Sequence, residues 1–401
     1  MTRRPVILGG DPAFPEGLPL VRPAIQDVPS IARALESVLA SGMLTNGPVV
    51  RRLEETAAAY LSVRHVVATS SCTAGLMLVL QAVNAWGRVV VPSFTFSATA
   101  HAIRWAGGSP DWADIDPETL TLDPASAALG AGGASAIMAV HLYGTPCDVE
   151  GLQRQADAAR LPLVYDAAHA LGSRRRQRAI GGFGTAEVFS LSPTKVVVAG
   201  EGGLVATNDG GLAETVRLGR DYGNPGDYDC LFPGLNARMS ELHATIGLAS
   251  LRGLDARVSR RTELVERFRS AVHGLPGCTF PAVDPGDVST FKDMTMLISA
   301  GGFGLGAEAL GVALRREGID SRRYYHPPVH RQRCYAGEPP RRPLPVTEDA
   351  AARVLSLPLW SHMRDEQIDR LAKAVMSLHA HAEPVARALR DASGEGAPPC
   401  P

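Results

Sequence analysis

Polar side chains follow several short apolar runs, and their types suit the chemistry of an amine that attacks a carbonyl group. Asp166 ends the run LPLVYD, His169 lies three residues later, and Lys195 lies five residues after TAEVFS ends at Ser190. Lys195 precedes the apolar residues VVVA. An apolar surrounding favours loss of the lysine proton, which keeps the amine nucleophilic. A nucleophilic amine beside a carboxylate predicts a site where a lysine bonds covalently to an aldehyde.

Two further stretches complete a set that matches one cofactor. HVVATSSCTAG ends a predicted strand in small hydroxyl residues and leads into the helix LMLVLQAV, and a helix N-terminus binds phosphate. Phe96, at the end of VVVPSFTF, offers a flat apolar surface to a ring. Pyridoxal 5'-phosphate needs a lysine for its aldehyde, a carboxylate for its protonated pyridine nitrogen, a phosphate site and a ring that stacks on it. Lys195, Asp166, the start of the predicted helix and Phe96 provide these four, so together they predict this cofactor.

Short β-branched runs, each followed by a helical pattern, have to position these side chains. The runs lie at 65–70, 88–94, 135–144, 162–168, 185–192 and 202–209. Strands that are apolar on both faces and alternate with helices predict an α/β fold with a mostly parallel sheet covered on both sides. Ligands of such folds bind at the carboxyl ends of the strands, where these polar side chains are expected.

The order of predicted helices and strands also divides the chain into two domains and a tail. SIARALESVLASG predicts an amphipathic helix with Ser30 as N-cap and Gly42 as its end. After about residue 250 one long charged helix, the strand TMLISA and two further helices predict a smaller α+β domain. We therefore assign 1–255 to a large domain with the N-terminal segment, 256–390 to a small C-terminal domain, and the Pro/Gly-rich residues 391–401 to a disordered tail.

Bulk composition favours small molecules as partners. Forty Lys and Arg residues against 41 Asp and Glu leave a net charge of −1, which argues against nucleic acid or an anionic membrane as a partner. The six cysteines are scattered without metal-ligand spacing, so neither a metal site nor a disulfide framework is expected and a reducing cytoplasm fits best. We find no apolar run of the roughly 20 residues that would span a bilayer.

Nine stretches in order resemble the successive motifs of the DegT/DnrJ/StrS family, fold-type I pyridoxal-phosphate-dependent aminotransferases known for aminating nucleotide-linked keto-sugars. They are GMLTNGPVVRRLEE, HVVATSSCTAGL, VPSFTFSATAHAI, VHLYGTPCD, YDAAHALGS, FSLSPTKVVVAGEGGLVATND, GLNARMSELHATIGLASL, YYHPPVH and SLPLWSHM. The resemblance runs from about residue 5 to residue 365. It implies a large domain with a mostly parallel seven-stranded sheet between helices, plus a smaller C-terminal α+β domain.

The resemblance also implies roles for single residues. Lys195 falls on the position of the lysine that holds the cofactor, and Asp166 on that of the carboxylate at the pyridine nitrogen. Asn236 in GLNARMSE matches an asparagine that reaches the phosphate from the neighbouring subunit, which implies a homodimer with shared active sites. The remaining matches are Thr73, Ala74 and Ser190 at the phosphate, Phe96 stacked on the ring, and His169 near the ring hydroxyl, where family members carry Gln or His.

The expected reaction is ping-pong transamination from L-glutamate or L-glutamine to a nucleotide-linked keto-sugar, in amino-sugar, antibiotic or surface-glycan biosynthesis. A keto-cyclitol acceptor or an aminobenzoate-type product stays open, because LGGDPAF and RDYGNPGDYD are similar to stretches in members acting on such rings. A subgroup that dehydrates sugars has histidine in place of the lysine, so Lys195 favours aminotransfer. The alternative from another class is a non-catalytic regulator that binds the cofactor, against which the intact lysine, aspartate and serine argue.

Several of these positions also have ordinary structural interpretations. Asp166 could cap the turn after its strand, Thr73 could be a helix N-cap, and His169 could be a structural histidine. The glycines of the GEGG turn at 200–203 are expected to serve a tight reversal. Arg238 and the cluster at 324–326 could hold an anionic, hydroxyl-rich substrate or lie in an interface.

Overall fold

The computed structural model describes residues 3–393, and regular elements make up most of this range. The strands, in chain order, are β1 (His65–Thr69), β2 (Arg88–Pro92), β3 (Ser109–Ala113), β4 (Ala136–Val140), β5 (Leu163–Asp166), β6 (Arg174–Arg175), β7 (Arg178–Ala179), β8 (Ala186–Ser190), β9 (Gly203–Thr207), β10 (Cys278–Thr279), β11 (Met294–Ile298) and β12 (Val354–Leu357). The helices are α1 (Val28–Ser41), α2 (Pro48–Leu61), α3 (Cys72–Ala82), α4 (Ser97–Trp105), α5 (Pro124–Ala131), α6 (Val149–Ala159), α7 (Gly210–Gly219), α8 (Glu241–Leu251), α9 (Leu254–Ala271), α10 (Ala300–Phe303), α11 (Ala307–Arg316), α12 (Pro345–Arg353), α13 (Asp365–Ala380) and α14 (Ala382–Ser393).

Seven strands form the large sheet in the order β1-β9-β8-β5-β4-β2-β3. β9 pairs antiparallel with β1 and β8, and the other neighbours pair parallel. The predicted α/β fold with a mostly parallel seven-stranded sheet is therefore confirmed. Because Gly203, the first residue of β9, pairs with the last residues of β1 and β8, the start of β9 lies at the same edge as their carboxyl ends.

Side chains alternate between the two faces of the sheet along each strand, so the core lies in two layers, one on each face. Val67 and Val205 pack with Leu76 of α3 on one face, while Val66 and Leu204 belong to the cluster on the other face. Successive side chains of a strand point to opposite faces, so strands that are apolar throughout are buried on both sides.

The sequence patterns missed or misplaced three features of these elements. β3, with the sequence SPDWA, lacks the β-branched pattern; it is an edge strand, where a proline is tolerated. α1 begins before the predicted N-cap, because Asp27 caps it and accepts a hydrogen bond from the Ser30 N–H; Gly42 does end it, as predicted. The long helix expected after residue 250 is interrupted at Gly253, whose φ of 69° separates α8 from α9.

A three-stranded sheet, β10-β11-β12, forms the centre of a second core. This core combines residues of α9, α11 and α13 with Phe14 and Leu18 from the N-terminal segment. The sequence had grouped that segment with the large domain, but its apolar residues bury against the C-terminal elements. α14 extends to Ser393, so residues 391–393 of the predicted tail are helical, and residues 394–401 lie outside the described residues. Among residues 3–393, no helix is both long and apolar enough to span a bilayer.

Candidate active site

The carboxyl ends of β1, β5 and β8 surround a cavity of about 220 Å³. Six of the eight predicted site residues line it: Thr73, Phe96, Asp166, His169, Ser190 and Lys195. Parallel strands bring their carboxyl ends to one edge of a sheet, so residues that are far apart in the sequence meet here. The polar side chains that were predicted to gather at the carboxyl ends of the strands thus line a single cavity.

Asp166 is the last residue of β5 and is 5% exposed. Its Oδ2 accepts a hydrogen bond of 2.7 Å from the Thr99 hydroxyl, and its Oδ1 accepts one of 3.0 Å from the Ala168 N–H. Burial raises the pKa of Asp166, against the opposing effects of these two hydrogen bonds and of the Lys195 charge. A cation placed against this carboxylate would favour its ionised form.

Lys195 ends a short turn, in which its N–H donates to the Ser192 carbonyl at 3.0 Å. The apolar residues after it, Val196 and Val197, pack into the core under the sheet, which explains why an amine lies among apolar neighbours. Burial lowers the pKa of Lys195 to about 8, and the Lys292 ammonium contributes in the same direction. A large share of the Lys195 side chains is therefore neutral and nucleophilic near pH 8.

His169 is held in one tautomer. Its Nδ1 accepts a hydrogen bond of 3.1 Å from the Tyr143 N–H. Burial, followed by the charges of Lys195 and Lys292, lowers the pKa of His169 well below its usual range. The neutral ring therefore carries its proton on Nε2 and can donate one hydrogen bond from that atom.

The N-terminus of α3 forms the anion-binding corner of the cavity. Ser71 is its N-cap and accepts a hydrogen bond of 3.1 Å from the Ala74 N–H, so the predicted alternative of Thr73 as N-cap is wrong. The first N–H groups of a helix have no intrahelical acceptor, so those of Cys72 and Thr73 are available to an anion. Gly203 lets this end of α3 lie directly on β9, because a Cβ there would be 2.6 Å from the Cys72 nitrogen.

Phe96 precedes α4 and is 56% exposed, with its ring at the cavity. The ring lies 6.1 Å from that of Tyr325, and Tyr325 in turn stacks on Tyr143 at 6.5 Å. The exposed ring is available for a flat ligand, and stacking on the cofactor ring stays a prediction for Phe96.

Two predicted site residues lie outside the cavity lining. Ala74 belongs to the first turn of α3 and takes part through its backbone in the capping of that helix. Asn236 is exposed, and its Oδ1 accepts a hydrogen bond of 3.2 Å from Arg238. The contact expected of Asn236 therefore does not form within one chain.

Sequence reasoning missed several residues at or near the cavity. Ser192 and Glu201 line it, although Glu201 was assigned to a purely structural turn, and Ser71 lines it from within the stretch predicted to bind phosphate. Lys292 lies nearby, buried, with its Nζ donating to Asp293 Oδ1 at 2.8 Å and its N–H donating to the Tyr143 carbonyl at 2.8 Å. The signal in the sequence was a charged pair, Lys292 and Asp293, directly before the apolar strand β11.

These groups fit pyridoxal 5'-phosphate. Lys195 supplies an amine of lowered pKa, Asp166 a carboxylate fixed by two donors, and α3 a helix N-terminus in contact with the cavity. Phe96 supplies an exposed ring. Among residues 3–393 no group of three or more His, Cys, Asp or Glu side chains is arranged to hold a metal ion.

Comparisons with known proteins agree with this geometry. The model of the DegT/DnrJ/EryC1/StrS aminotransferase family matches residues 26–376. SpsC, a spore coat polysaccharide biosynthesis protein of Bacillus subtilis (strain 168), is 31% identical over 382 residues, 91% of this chain and 97% of SpsC.

Solved structures match over similar lengths. DesI, whose crystal structure was determined in the presence of its TDP-sugar product, is 38% identical in sequence to this chain. The two structures superpose with a TM-score of 0.91 over 96% of this chain and 99% of the DesI chain. The structure of DesV from S. venezuelae in complex with a ketimine intermediate is 32% identical with a TM-score of 0.82, covering 90% of this chain and 99% of the DesV chain.

Proposed function

Because this chain belongs to the DegT/DnrJ/EryC1/StrS aminotransferase family, we propose that it moves an amino group from an amino acid to a nucleotide-linked keto-sugar. The enzyme is a pyridoxal 5'-phosphate-dependent aminotransferase. L-Glutamate or L-glutamine is the proposed donor. The observation that carries the acceptor is the similarity to DesI, whose structure was solved with a TDP-sugar product.

Several residues of the cavity have a proposed task in this reaction. Bound pyridoxal phosphate supplies an electron sink for the negative charge that develops on the substrate carbon. Asp166 would hold a proton on the pyridine nitrogen of the cofactor, and the Nε2–H of His169 would donate to its ring hydroxyl oxygen. The N–H groups at the start of α3, with Ser190, would bind its phosphate.

Lys195 has two tasks in succession. Its neutral amine would hold the cofactor, and binding of the amino donor would free that amine. The freed Nζ then takes the proton from the donor's α-carbon, and in the second half of the cycle it returns a proton to the carbon that receives the amino group. The lowered pKa suits both tasks, since the amine can accept and release a proton near neutral pH.

The proposed assembly is a homodimer whose subunits share their active sites. Asn236 lies outside the cavity of its own chain and is exposed, so a second subunit is needed for it to reach a phosphate. Large apolar side chains are exposed both in the region of α1 and in the loop before Asn236. These are Ile25, Val28, Leu39, Met43, Leu44, Tyr222, Tyr228 and Leu231. Exposed apolar residues of this number support an interface.

Stepwise absorbance measurements test the proposal. We expect L-glutamate or L-glutamine to change the visible spectrum of the cofactor-loaded enzyme, and a TDP-linked keto-sugar to restore it with an aminated product in the mass spectrum. Lys195→Ala should remove the visible band and lower turnover roughly 10²- to 10⁴-fold, the usual contribution of a proton-transfer group. Lys373→Ala is the control, since Lys373 is exposed on α13.

The same measurements distinguish the alternatives. A cofactor band that no amino acid changes would contradict the proposal and support a non-catalytic regulator. A donor response followed by turnover of keto-inositols but of no nucleotide-linked keto-sugar would keep the aminotransferase and replace its acceptor.

A further inference from the structure

Glu201 is a carboxylate at the cavity that has no partner. It lines the cavity together with Lys195 and Ser192, and its side chain is exposed. It makes no hydrogen bond or ion pair with any residue between 3 and 393. The other carboxylate of the lining, Asp166, already accepts a hydrogen bond on each oxygen. Glu201 is therefore the acidic group whose oxygens are free for a ligand.

The turn that carries Glu201 is held firmly in place. Gly200 and Gly202 on either side have φ values of 87° and 154°, which side chains rarely adopt. A Cβ at Gly200 would be 3.1 Å from His243, and one at Gly202 would overlap Met239, so the turn packs closely against residues at α8 and just before it. The backbone of Leu191 also holds both ends of the turn by hydrogen bonds. Its N–H donates to the Gly202 carbonyl at 2.9 Å, and its carbonyl accepts from the Ala199 N–H at 2.8 Å.

An unpaired carboxylate on a fixed turn at the cavity distinguishes between the groups that the two substrates bring to it. An amino-acid donor brings a carboxylate, and L-glutamate brings two, which Glu201 repels. The acceptor has its negative charge on the diphosphate, whereas its sugar ring brings neutral hydroxyl groups, which donate strong hydrogen bonds to a carboxylate. We propose that Glu201 is a specificity-determining residue that accepts hydrogen bonds from hydroxyl groups of the sugar acceptor. This inference rests on the proposed function, in which the acceptor is a keto-sugar.

The test measures the two half-reactions separately in Glu201→Gln, which keeps the shape of the side chain and removes its charge. For the keto-sugar half-reaction we expect kcat/KM to fall about 10- to 100-fold, mainly through KM, as for loss of a charge-assisted hydrogen bond. Calorimetric titration with the aminated sugar nucleotide should show a similar loss of affinity. The L-glutamate half-reaction should be faster or within about threefold of the wild-type rate, because a repulsion near solvent is weak.

Two controls make the result specific. Glu266→Gln removes an exposed carboxylate on α9 and should change neither half-reaction. With a deoxy analogue that lacks the recognised hydroxyl, wild type and Glu201→Gln should bind with equal affinity.

Three outcomes would overturn the inference. They are unchanged kinetics of both half-reactions, an equal loss in both, or a change confined to the dissociation of dimers in sedimentation. A wild-type enzyme that responds to the donor but aminates no keto-sugar would instead contradict the proposed function, so the two failures are distinguishable.

Discussion

At the scale of the residue, the site depends on keeping one lysine amine neutral beside a fixed carboxylate. Burial is the main cause of the lowered pKa of Lys195, and the ammonium of Lys292 is the next. Lys292 is itself buried and pairs with Asp293 at 2.8 Å. A cation supplied by the C-terminal part of the chain therefore helps to prepare the amine of the large sheet for its reaction.

Lys292→Met should shift the pH dependence of cofactor binding. The neutral amine of Lys195 reacts with the cofactor, so the rate of cofactor uptake by the apoenzyme should rise with pH through about 8, the pKa of Lys195. Removal of the Lys292 charge raises that pKa, so the midpoint should move to higher pH. Stopped-flow absorbance after addition of pyridoxal phosphate measures it.

Lys292→Arg is the matched control, because it keeps the charge and should leave the midpoint nearly unchanged. A midpoint that does not move in Lys292→Met would show that Lys292 has no electrostatic effect on Lys195. A variant that binds no cofactor at any pH would point to a structural role for the Lys292–Asp293 pair.

At the scale of the element, the anion site depends on the close approach of α3 to β9. Ser71 caps the helix, which leaves the next N–H groups directed at the cavity. Two glycines permit the approach: a Cβ at Gly75 would be 3.0 Å from Val205 of β9, and one at Gly203 would be 2.6 Å from the Cys72 nitrogen. The helix N-terminus is thus positioned by the absence of side chains as much as by the cap.

Gly203→Ala should weaken cofactor binding. The added methyl group meets backbone atoms of Ser71 and Cys72, which cannot move aside as a flexible side chain would. We expect a loss of about 1–3 kcal/mol in the free energy of unfolding, typical of overpacking, and a higher Kd for pyridoxal phosphate. Denaturant titration and equilibrium dialysis measure the two quantities.

Gly301→Ala is a suitable control, since a Cβ at Gly301 in α10 has no atom within 4 Å. If Gly203→Ala bound pyridoxal phosphate with wild-type affinity, the position of the α3 N-terminus would not determine phosphate binding.

At the scale of the whole molecule, the C-terminal part of the chain packs against the segments that carry His169 and its hydrogen-bond donor, Tyr143. The Thr290 hydroxyl donates to the His169 carbonyl at 2.6 Å, and the Lys292 N–H donates to the Tyr143 carbonyl at 2.8 Å. Arg261, buried on α9, donates to the carbonyls of Thr290, Phe291 and Lys292 at 2.7 to 3.0 Å. These contacts fix the segment that carries Lys292 against the large sheet.

Mixing two inactive variants should restore activity if the proposed dimer shares its active sites. Lys195→Ala lacks the amine, and Asn236→Ala lacks the amide expected to reach the neighbouring phosphate. A mixed dimer has one site with both groups intact, so a statistical mixture should regain about a quarter of wild-type activity. The measurement is turnover after joint refolding of the two variants under limiting cofactor.

The separately refolded variants, combined without subunit exchange, serve as the control. Absence of recovery in a mixture shown to contain mixed dimers would place Asn236 outside the shared site.

Much of this enzyme could be predicted from the sequence because its chemistry lies at the ends of strands. Asp166 and Ser190 end apolar runs and Lys195 lies shortly after one, and apolar runs that mostly alternate with helical patterns are typical of a parallel sheet. Periodicity and strand ends are local properties, so the sequence by itself determined the α/β fold, the cavity edge and six of the residues that line the cavity.

Only the tertiary structure decided which residues from other parts of the chain act on that edge. Lys292 is 97 residues from Lys195 in the sequence, and its effect depends on how the C-terminal elements pack on the large sheet. Glu201 looked like part of a structural turn until packing of Gly200 and Gly202 against His243 and Met239 placed it in the cavity lining. Contacts between distant segments follow from the packing of whole elements, which no local pattern contains.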